Sequence, residues 1–293
     1  MKNFILIGSA GYIAERHMKA IKELGHNLIA CYDKFDVMGK IDSYFPQAEF
    51  FTSKKELLEF IPHYKVDYIS ICTPNYTHHE FIEMGLSNYV DVICEKPMVT
   101  KFNHLRSIKI YEDAYSHKAF TILQLRYHPT ILKIRKEVMD LPNKRYKINL
   151  IYITSRGKWY HKTWKADFDK SGGLTMNIGV HFFDMLLWIF GGVKSFDVDS
   201  LSSNSAKGKL NLEKADVEWF LSIDSKDLPN SAKYHDQSTY RSIAIDGHEI
   251  EFSGGFTDLH TVAYDNIING NGYGVDDVYD CIKLVNEINN ELY

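Results

Sequence analysis

Residues 3–17 read NFILIGSAGYIAERH, an apolar run followed by small residues and then by a segment with helical periodicity. Gly8, Gly11 and Ala14 have the spacing G-x-x-G-x-x-A, which departs from G-x-G-x-x-G because Ala10 stands at the middle glycine. Small residues at this spacing let a strand turn tightly into a helix whose N-terminal amides can meet a pyrophosphate. A strand–turn–helix unit without a ligand would look similar, so this stretch predicts the unit and leaves the dinucleotide open.

Alternating strand and helix patterns continue as far as residue 122. Further apolar runs that are typical of strands follow: HNLIACYD, VDYISICTP and VDVICEKP. Between them, Ser53 with Glu56 and Thr77 with Glu80 have the spacing of capping boxes, which begin helices. Because strands that alternate with helices need crossover connections, we predict an α/β fold that begins with a Rossmann-type, doubly wound parallel sheet.

The pattern changes in the second half of the chain. The strand-like runs there are KINLIYITSRG, DVEWFLSID and RSIAIDGHEIEFSGG, and the pair Asp246-Gly247 separates two apolar segments as in a hairpin turn. Helices are predicted near residues 175–190 and from Val275. We therefore predict two domains, 1–122 and 123–293, the second an α/β domain on an open, mainly antiparallel sheet.

The composition excludes several classes of protein. With 45% hydrophobic residues, 25% charged residues and a net charge of −4, the chain has an ordinary globular composition, and no basic run suggests a nucleic-acid partner. The four cysteines show no zinc spacing, and we expect them to be reduced. The first apolar run lacks a cleavage site, and FFDMLLWIFGG is too short for a bilayer and carries an aspartate. We expect a cytoplasmic protein with no membrane partner.

Asp33 favours the dinucleotide interpretation. It ends the second predicted strand about 20 residues after the glycines, where a carboxylate accepts hydrogen bonds from ribose hydroxyls and repels a 2′-phosphate. NAD is therefore favoured over NADP, although the adjacent Lys34 could tolerate the phosphate. Ligands of open parallel sheets collect beyond the carboxyl ends of the strands, so residues 73–75 and 95–97 are expected beside Gly8.

Four segments, in this order, resemble the Gfo/Idh/MocA oxidoreductase family over nearly the whole chain: GSAGYIAERH, CTPNYTHH, CEKP and SGGLTMNIGVHFFDMLLW. The resemblance implies a Rossmann domain followed by an α/β domain, and NAD(P)-dependent chemistry on sugar-like alcohols. It also implies catalysis by the lysine of the EKP motif and by a histidine on the helix after a Gly-Gly pair, here Lys96 and His181. The NAD contacts that we predict are Gly8, Gly11, Tyr12, Ile13, Asp33, Thr73, Pro74, Asn75, His78, Glu95, Lys96 and Gln124.

Helical spacing gives His181 two companions. Asn177, His181 and Asp184 lie at i, i+4 and i+7 and would share one face of a regular helix. Many family members carry an aspartate at the position of Asn177, so here we expect this residue to bind substrate. His181 and Asp184 without a third ligand do not make a closed metal site, and we predict no metal. A buried structural histidine is the alternative for His181.

A narrower resemblance is found in SRGKWYHKTWKADFDKSGG and RSIAIDGHEIEFSGGFTDLHTVAYDNIINGNGYGVDD. These stretches are similar to the family members that oxidise the 3-hydroxyl of UDP-N-acetyl-D-glucosaminuronate (UDP-GlcNAcA), the UDP-N-acetyl-2-amino-2-deoxyglucuronate dehydrogenases of bacterial surface-polysaccharide (O-antigen lipopolysaccharide) precursor synthesis. The resemblance implies an oligomer, dimer or tetramer, formed through the second sheet, and in some members reoxidation of the cofactor by 2-oxoglutarate.

The anionic groups of such a substrate need cations in the second domain. A pyrophosphate and a carboxylate pair well with guanidinium and ammonium groups, and Lys158, Lys162 and Lys165 are also available there. Gln124 and Arg126 are expected to face the cofactor. The substrate contacts that we predict are Lys96, Arg156, Tyr160, Asn177, His181 and Arg241.

His181 or Lys96 is expected to take the proton from the 3-hydroxyl. Histidine titrates near neutral pH and is the favoured base, with Lys96 as the electrostatic partner. One alternative is another sugar or inositol dehydrogenase of the same family, which would not require the UDP moiety. The other is a non-catalytic NAD-binding sensor, which would not need both Lys96 and His181.

Overall fold

The computed structural model describes residues 1–36, 39–251 and 258–291. The strands are β1 (Asn3–Ile7), β2 (Asn27–Tyr32), β3 (Glu49–Phe51), β4 (Tyr68–Ile71), β5 (Asp91–Cys94), β6 (Ala119–Thr121), β7 (Tyr146–Thr154), β8 (Val193–Leu201), β9 (Ser205–Leu212), β10 (Ala215–Ser222), β11 (Thr239–Ile245) and β12 (His248–Glu251). They form two sheets, and each sheet belongs to a different compact unit.

The α-helices alternate with the first strands and then become fewer. They are α1 (Ala14–Glu23), α2 (Gly39–Tyr44), α3 (Lys54–Phe60), α4 (His78–Ser87), α5 (Asn103–Tyr115), α6 (Pro129–Asp140), α7 (Phe168–Ser171), α8 (Val180–Phe190), α9 (Asn230–Tyr234), α10 (Leu259–Ile268) and α11 (Val275–Asn290). A π-helical segment, Thr175–Gly179, leads directly into α8.

The sheet of the first unit has the strand order β3-β2-β1-β4-β5-β6, and every pair in it is parallel. This is the doubly wound order, which reverses direction between β1 and β4. The central strands are buried along most of their length, as expected of a parallel sheet covered by helices on both faces. The predicted Rossmann architecture is confirmed, and the short β3 was not predicted because it lacks an apolar run.

The two predicted capping boxes have different outcomes. The Ser53 hydroxyl accepts a hydrogen bond from the Glu56 backbone N–H at 3.5 Å at the start of α3, as predicted. The second prediction was wrong, because the Thr77 hydroxyl donates to the Pro74 carbonyl at 2.7 Å and lies 2.7 Å from the Thr73 hydroxyl. It therefore stabilises the turn before α4 and leaves the first helical amides uncapped by this side chain.

The sheet of the second unit has the order β12-β11-β7-β10-β9-β8. The β7–β10 pair is parallel and the other described pairs are antiparallel, which confirms the prediction of an open, mainly antiparallel sheet. Asp246 and Gly247 both have positive φ, 51° and 84°, and join β11 to β12. This backbone matches the twist of the strands in a two-residue hairpin, so the predicted turn is also confirmed.

The two units do not follow one boundary in the sequence. The first comprises Met1–Gln124 and Asp258–Tyr279, and the second comprises Leu125–Thr257 and Asp280–Tyr293. The prediction placed a single boundary after residue 122. In the structure the chain returns to the first unit at Asp258, so that α10 belongs to that unit. There α10 packs on α1, with a hydrogen bond between Tyr264 and His17 and an ion pair between Asp258 and Lys19. Helical periodicity marks such a helix but does not say which sheet it covers.

Two features bear on the expectations drawn from composition. The stretch Phe168–Phe190 passes for a membrane span by length and hydropathy, but 72% of its apolar window is buried, as in the core helix of a folded domain. Cys31, Cys72, Cys94 and Cys281 are buried and free of disulfides. Burial raises the pKa of Cys31 to about 12, so this thiol is unreactive at neutral pH.

Candidate active site

The carboxyl ends of four parallel strands meet at one edge of the first sheet. Their last residues are in register, in the order Tyr32, Ile7, Ile71 and Cys94. The residues that follow directly are therefore neighbours: Asp33, Gly8, Cys72 and Glu95. Asp33, Gly8 and Glu95 are among the predicted cofactor contacts, and Cys72 immediately precedes another, Thr73. The strand pattern predicted that these residues lie together beyond the carboxyl ends of the strands, and the fold places them there.

Gly8 is required by a close approach of two backbone segments. Its φ is +87°, and a Cβ atom there would lie 2.8 Å from the Cys72 carbonyl carbon and from the Thr73 nitrogen. A Cβ on Gly11 would lie 3.1 Å from the Gly8 carbonyl oxygen. Any side chain at Gly8 would push the turn away from the end of β4, so the first glycine of the motif packs the site together.

The turn before α1 offers hydrogen-bond donors without protein acceptors. The N–H groups of Tyr12 and Ile13 have no acceptor among the described residues, and neither has the buried Ser9 hydroxyl. A buried polar group such as the Ser9 hydroxyl is nearly always paired, and the two amides, at a helix N-terminus, favour an anion. These donors fit the pyrophosphate of a dinucleotide.

Asp33 holds the other side of this turn. Its Oδ2 accepts the Ala10 N–H at 2.9 Å, and its Oδ1 accepts the Phe35 N–H at 3.1 Å. Each carboxylate oxygen can accept a further hydrogen bond, so the side chain retains capacity for the two hydroxyls of a ribose. The residue therefore positions the glycine turn as well as offering acceptors at the sheet edge.

His78 has surroundings that differ from those predicted for a cofactor contact. It is buried, and its ring nitrogens lie 2.7 Å from the Pro97 carbonyl oxygen and 2.8 Å from the Thr73 carbonyl oxygen. The ring thus bridges the two segments that follow β4 and β5, and burial lowers its pKa. We expect His78 to hold these segments and to act on the cofactor only through them.

Glu95 is buried, and Lys96, which follows it, is half-buried. The Glu95 carboxylate lies against two histidines that the sequence analysis did not identify, His17 of α1 and His260 of α10. These three side chains place ligand-type atoms within 4.8 Å of one another.

In the second unit, Asn177 and His181 lie on either side of the change from π-helix to α-helix. Asn177 belongs to the π-helical segment and His181 to the first turn of α8. The predicted shared face depends on a regular period of about 3.6 residues, which the wider π turn interrupts. Asn177 is buried and donates from Nδ2 to the Tyr160 hydroxyl at 3.0 Å, while His181 is half-buried.

Asp184 and Arg126 form a buried ion pair that the sequence did not reveal. The guanidinium donates to both carboxylate oxygens, at 2.7 and 3.0 Å, and both side chains are almost inaccessible. Arg126 was expected with Gln124 to face the cofactor, but the structure commits it to Asp184. The pairing also gives Asp184 a partner other than a metal. A two-point pair of this kind fixes α8, which carries His181, against the segment that begins the second unit.

Cations and aromatic rings cluster near Tyr160. The Lys165 ammonium lies 5.4 Å from the centre of the Trp159 ring and 5.7 Å from that of Trp164. Burial and the positive charge of Arg156 lower the pKa of Lys165. Within the described residues, neither Arg156 nor Lys165 forms an ion pair with a carboxylate. Two neighbouring cations without an acidic partner are the arrangement expected around an anionic ligand.

Arg241 is placed differently. Its guanidinium lies 5.2 Å from the centre of the Tyr152 ring, on the neighbouring strand β7. The arginine is half-buried and its planar group is held over an aromatic face. Its predicted contact with substrate stays a prediction.

Two models of one oxidoreductase family, Gfo/Idh/MocA, match the chain. The NAD-binding Rossmann-fold domain matches residues 2–122, and the C-terminal alpha/beta domain matches residues 144–228. A crystal structure of the WlbA (WbpB) dehydrogenase from Thermus thermophilus with NAD and alpha-ketoglutarate is 41% identical, with a TM-score of 0.95 over 99% of this chain and 95% of that one. A second structure of that dehydrogenase, with NAD and UDP-GlcNAcA, has a TM-score of 0.94 at 41% identity over the same shares.

Curated relatives match over shorter stretches. The Rhizobium meliloti inositol 2-dehydrogenase is 28% identical over 128 residues, which are 43% of this chain and 37% of that protein. The Bacillus subtilis protein YteT, described as an oxidoreductase, is 29% identical over 158 residues, 53% of this chain and 35% of its own length. The matched region thus spans little more than a third of these two relatives.

Proposed function

The chain belongs to the Gfo/Idh/MocA oxidoreductase family, and from this premise we propose that it is an NAD-dependent dehydrogenase that oxidises the 3-hydroxyl of UDP-GlcNAcA to the 3-keto sugar nucleotide. One observation carries the choice of substrate: the likeness at 41% identity, over 99% of the chain, to a dehydrogenase crystallised with NAD and UDP-GlcNAcA. The unpartnered donors of Ser9, Tyr12 and Ile13 support the cofactor.

The chain's own residues divide the work of such an oxidation. Bound NAD supplies the hydride acceptor. Ser9 and the amides before α1 would hold its pyrophosphate, and Asp33, which accepts the Ala10 N–H, would also accept from a ribose hydroxyl. His181 takes the proton of the 3-hydroxyl, and the Lys96 ammonium stabilises the negative charge that develops on that oxygen.

The cluster around Tyr160 supplies the charge that this substrate requires. Arg156 is exposed and Lys165 is half-buried. The buried Tyr160 lies between them in the sequence and accepts a hydrogen bond from Asn177, in the segment that leads into α8. Because burial raises the pKa of Tyr160, its hydroxyl stays protonated and can donate to an anionic oxygen. We assign the carboxylate or pyrophosphate of the substrate to Arg156 and Lys165, a residue that the sequence analysis mentioned but did not select.

Replacing Arg156 by alanine should raise the KM for UDP-GlcNAcA by about 10-fold or more and change kcat by less than about 3-fold. A hydrogen bond to a charged group contributes about 1.5–3 kcal/mol, and here it is lost equally in the ground and transition states. Lys165→Met, which retains the aliphatic stem beside the two indoles, should act in the same direction. Arg106→Ala, on α5 and exposed, is the matched control and should leave KM unchanged. A rise in the KM for NAD alone would contradict the assignment.

The proposed function is tested by mixing the protein with NAD and UDP-GlcNAcA and following NADH absorbance. We expect turnover or a single burst of NADH, competition by UDP, and consumption of the NADH when 2-oxoglutarate is added. Oxidation of a free sugar or inositol without competition by UDP would show another dehydrogenase of the family. Quenching of protein fluorescence by NAD without any NADH would show a sensor.

The wider setting is also a proposal. We place the reaction in the cytoplasm, in precursor synthesis for a bacterial surface polysaccharide such as O-antigen. We further propose a homodimer or homotetramer that associates through the open face of the second sheet. That face exposes side chains of both charges on adjacent strands, which a second copy could pair: Lys147, Asp197, Lys209 and Glu218. Sedimentation velocity would measure the assembly.

A further inference from the structure

We propose that Glu95 is a positioning residue for Lys96, and that His17 and His260 fix it for this purpose as a buried carboxylate. The inference rests on the proposed function for its kinetic consequence only. The hydrogen bonds that carry it all lie within the first unit, between α1, α10 and the segment after β5.

The two carboxylate oxygens of Glu95 have separate partners. Oε1 lies 3.1 Å from His17 Nε2 and 2.8 Å from His260 Nε2, so both rings donate an N–H to the same oxygen. Oε2 accepts the backbone N–H of Lys96 at 3.2 Å. The side chain is 11% exposed, so few of these donors can be replaced by water. Its orientation therefore determines the orientation of the peptide from which the Lys96 side chain extends.

A chain of hydroxyl groups selects the tautomer of His17. Its Nδ1 lies 2.7 Å from the Tyr264 hydroxyl, which lies 2.6 Å from the Ser70 hydroxyl, and all three side chains are buried. Burial raises the pKa of Tyr264 well above its usual value, so the phenol keeps its proton. Because the Glu95 carboxylate can only accept, the single proton of a neutral His17 lies on Nε2, directed at Glu95. Nδ1 is then the acceptor for the Tyr264 hydroxyl, which in turn can accept from Ser70.

The charge of the cluster follows from these donors. Burial opposes ionisation of Glu95, but hydrogen bonds from His17 and His260 prevail and hold its pKa well below the usual range. Burial also lowers the pKa of His17, so that ring stays neutral. The other titratable groups that face Glu95 or its partners are Cys72, Cys94, His78, Tyr264 and Arg16, whose positive charge also lowers the pKa of His17. The two thiols and the phenol are uncharged at neutral pH, because burial raises the pKa of each.

The experiment compares two replacements of His260 in the full-length protein. His260→Gln retains an N–H donor and should stay within about 3-fold of the wild-type kcat, whereas His260→Phe has no donor and should lose about 10-fold or more. The KM for NAD should change less than kcat in both variants, since the Ser9 turn is untouched. Val262→Ala, at an exposed position of α10, is the control for effects of altering this helix.

The ionisation of Glu95 is followed separately by carbon-13 NMR of labelled glutamate carboxyl groups, assigned by Glu95→Gln. In the wild type the resonance should remain that of a carboxylate down to acidic pH, because the folded-state pKa lies below its usual value. In His260→Phe it should titrate about one pH unit or more higher, because a donor that favoured the charged form is gone. A rate profile alone would hide this shift beneath the protonation of His181.

These readouts separate the possible results. If His260→Phe retains wild-type kcat, or if Glu95 titrates alike in the wild type and in His260→Phe, the positioning role is wrong. A metal ion retained in stoichiometric amount by the wild type and lost in Glu95→Gln would also overturn it, since an ion would replace the assigned hydrogen bonds. The NMR titration needs no turnover, so absence of UDP-GlcNAcA oxidation by the wild type would reject the proposed function and still leave the Glu95 assignment open to measurement. Should His260→Phe fail to fold, the wild-type titration and the comparison with His260→Gln decide the matter.

Discussion

Replacing His181 by asparagine is expected to lower kcat for UDP-GlcNAcA oxidation by about 10²–10⁴-fold at neutral pH, the range of general acid–base catalysis. Asparagine preserves a polar side chain at the start of α8 but cannot accept a proton near neutral pH. The KM for NAD should change little. The rate should no longer rise with pH through the range in which an imidazole loses its proton.

His235, exposed at the end of α9, provides the matched control for this change. His235→Asn should leave kcat and its pH dependence unchanged. If His181→Asn remained within a few-fold of the wild type, the proton would have to be taken by another group, and Lys96 would be the next candidate. In that case Lys96→Met should abolish the dependence of kcat on pH that His181→Asn retains.

Replacing Lys96 by methionine is expected to lower kcat by about 10²–10³-fold, the effect of removing one group that stabilises developing negative charge. Methionine retains most of the aliphatic length of lysine without the ammonium. Because the lost interaction is stronger with an alkoxide than with a neutral hydroxyl, kcat and kcat/KM should fall together. Steady-state kinetics with UDP-GlcNAcA at saturating NAD measure both.

Lys101, five residues further along and exposed, offers a control with the same chemistry. Lys101→Met should leave both kinetic constants unchanged. A Lys96→Met variant that retained kcat but had a higher KM would show that the ammonium binds the substrate without favouring the transition state. This result would move Lys96 from the catalytic groups to the anion-binding groups around Arg156.

The sequence was sufficient to predict the architecture of the first sheet, because the signals for its strands and helices lie within short stretches of the chain. Each strand is a short buried run, and each helix between strands carries its own period and end signals. The polar residues directly after the strands then fall at one edge, whatever the detailed packing, since the carboxyl ends of parallel strands share that edge. Asp33 and Lys96 could be selected from their positions alone. The same local reasoning found the hairpin at Asp246 and Gly247.

Partners distant in sequence could not be found in this way. Glu95 meets His260 across 165 residues, and Arg126 meets Asp184 across 58. A histidine on a helix is compatible with solvent, a ligand or a buried carboxylate, and only the packing of α10 on the first sheet distinguishes them. His78 is a second example. It was predicted to contact the cofactor, but its ring nitrogens contact two backbone carbonyl oxygens, and these contacts could not be predicted from the sequence.

The amino-acid sequence by itself determined the doubly wound first sheet, the mainly antiparallel second sheet and the strand ends at which Asp33 and Lys96 lie. These depend on periodicity and on turn chemistry, which extend over a few residues. The tertiary structure alone decided that α10 returns to the first unit and that Glu95 is a carboxylate held by two imidazoles. Such pairings depend on which surfaces exclude water together, and this is a property of the folded chain and not of any short stretch within it.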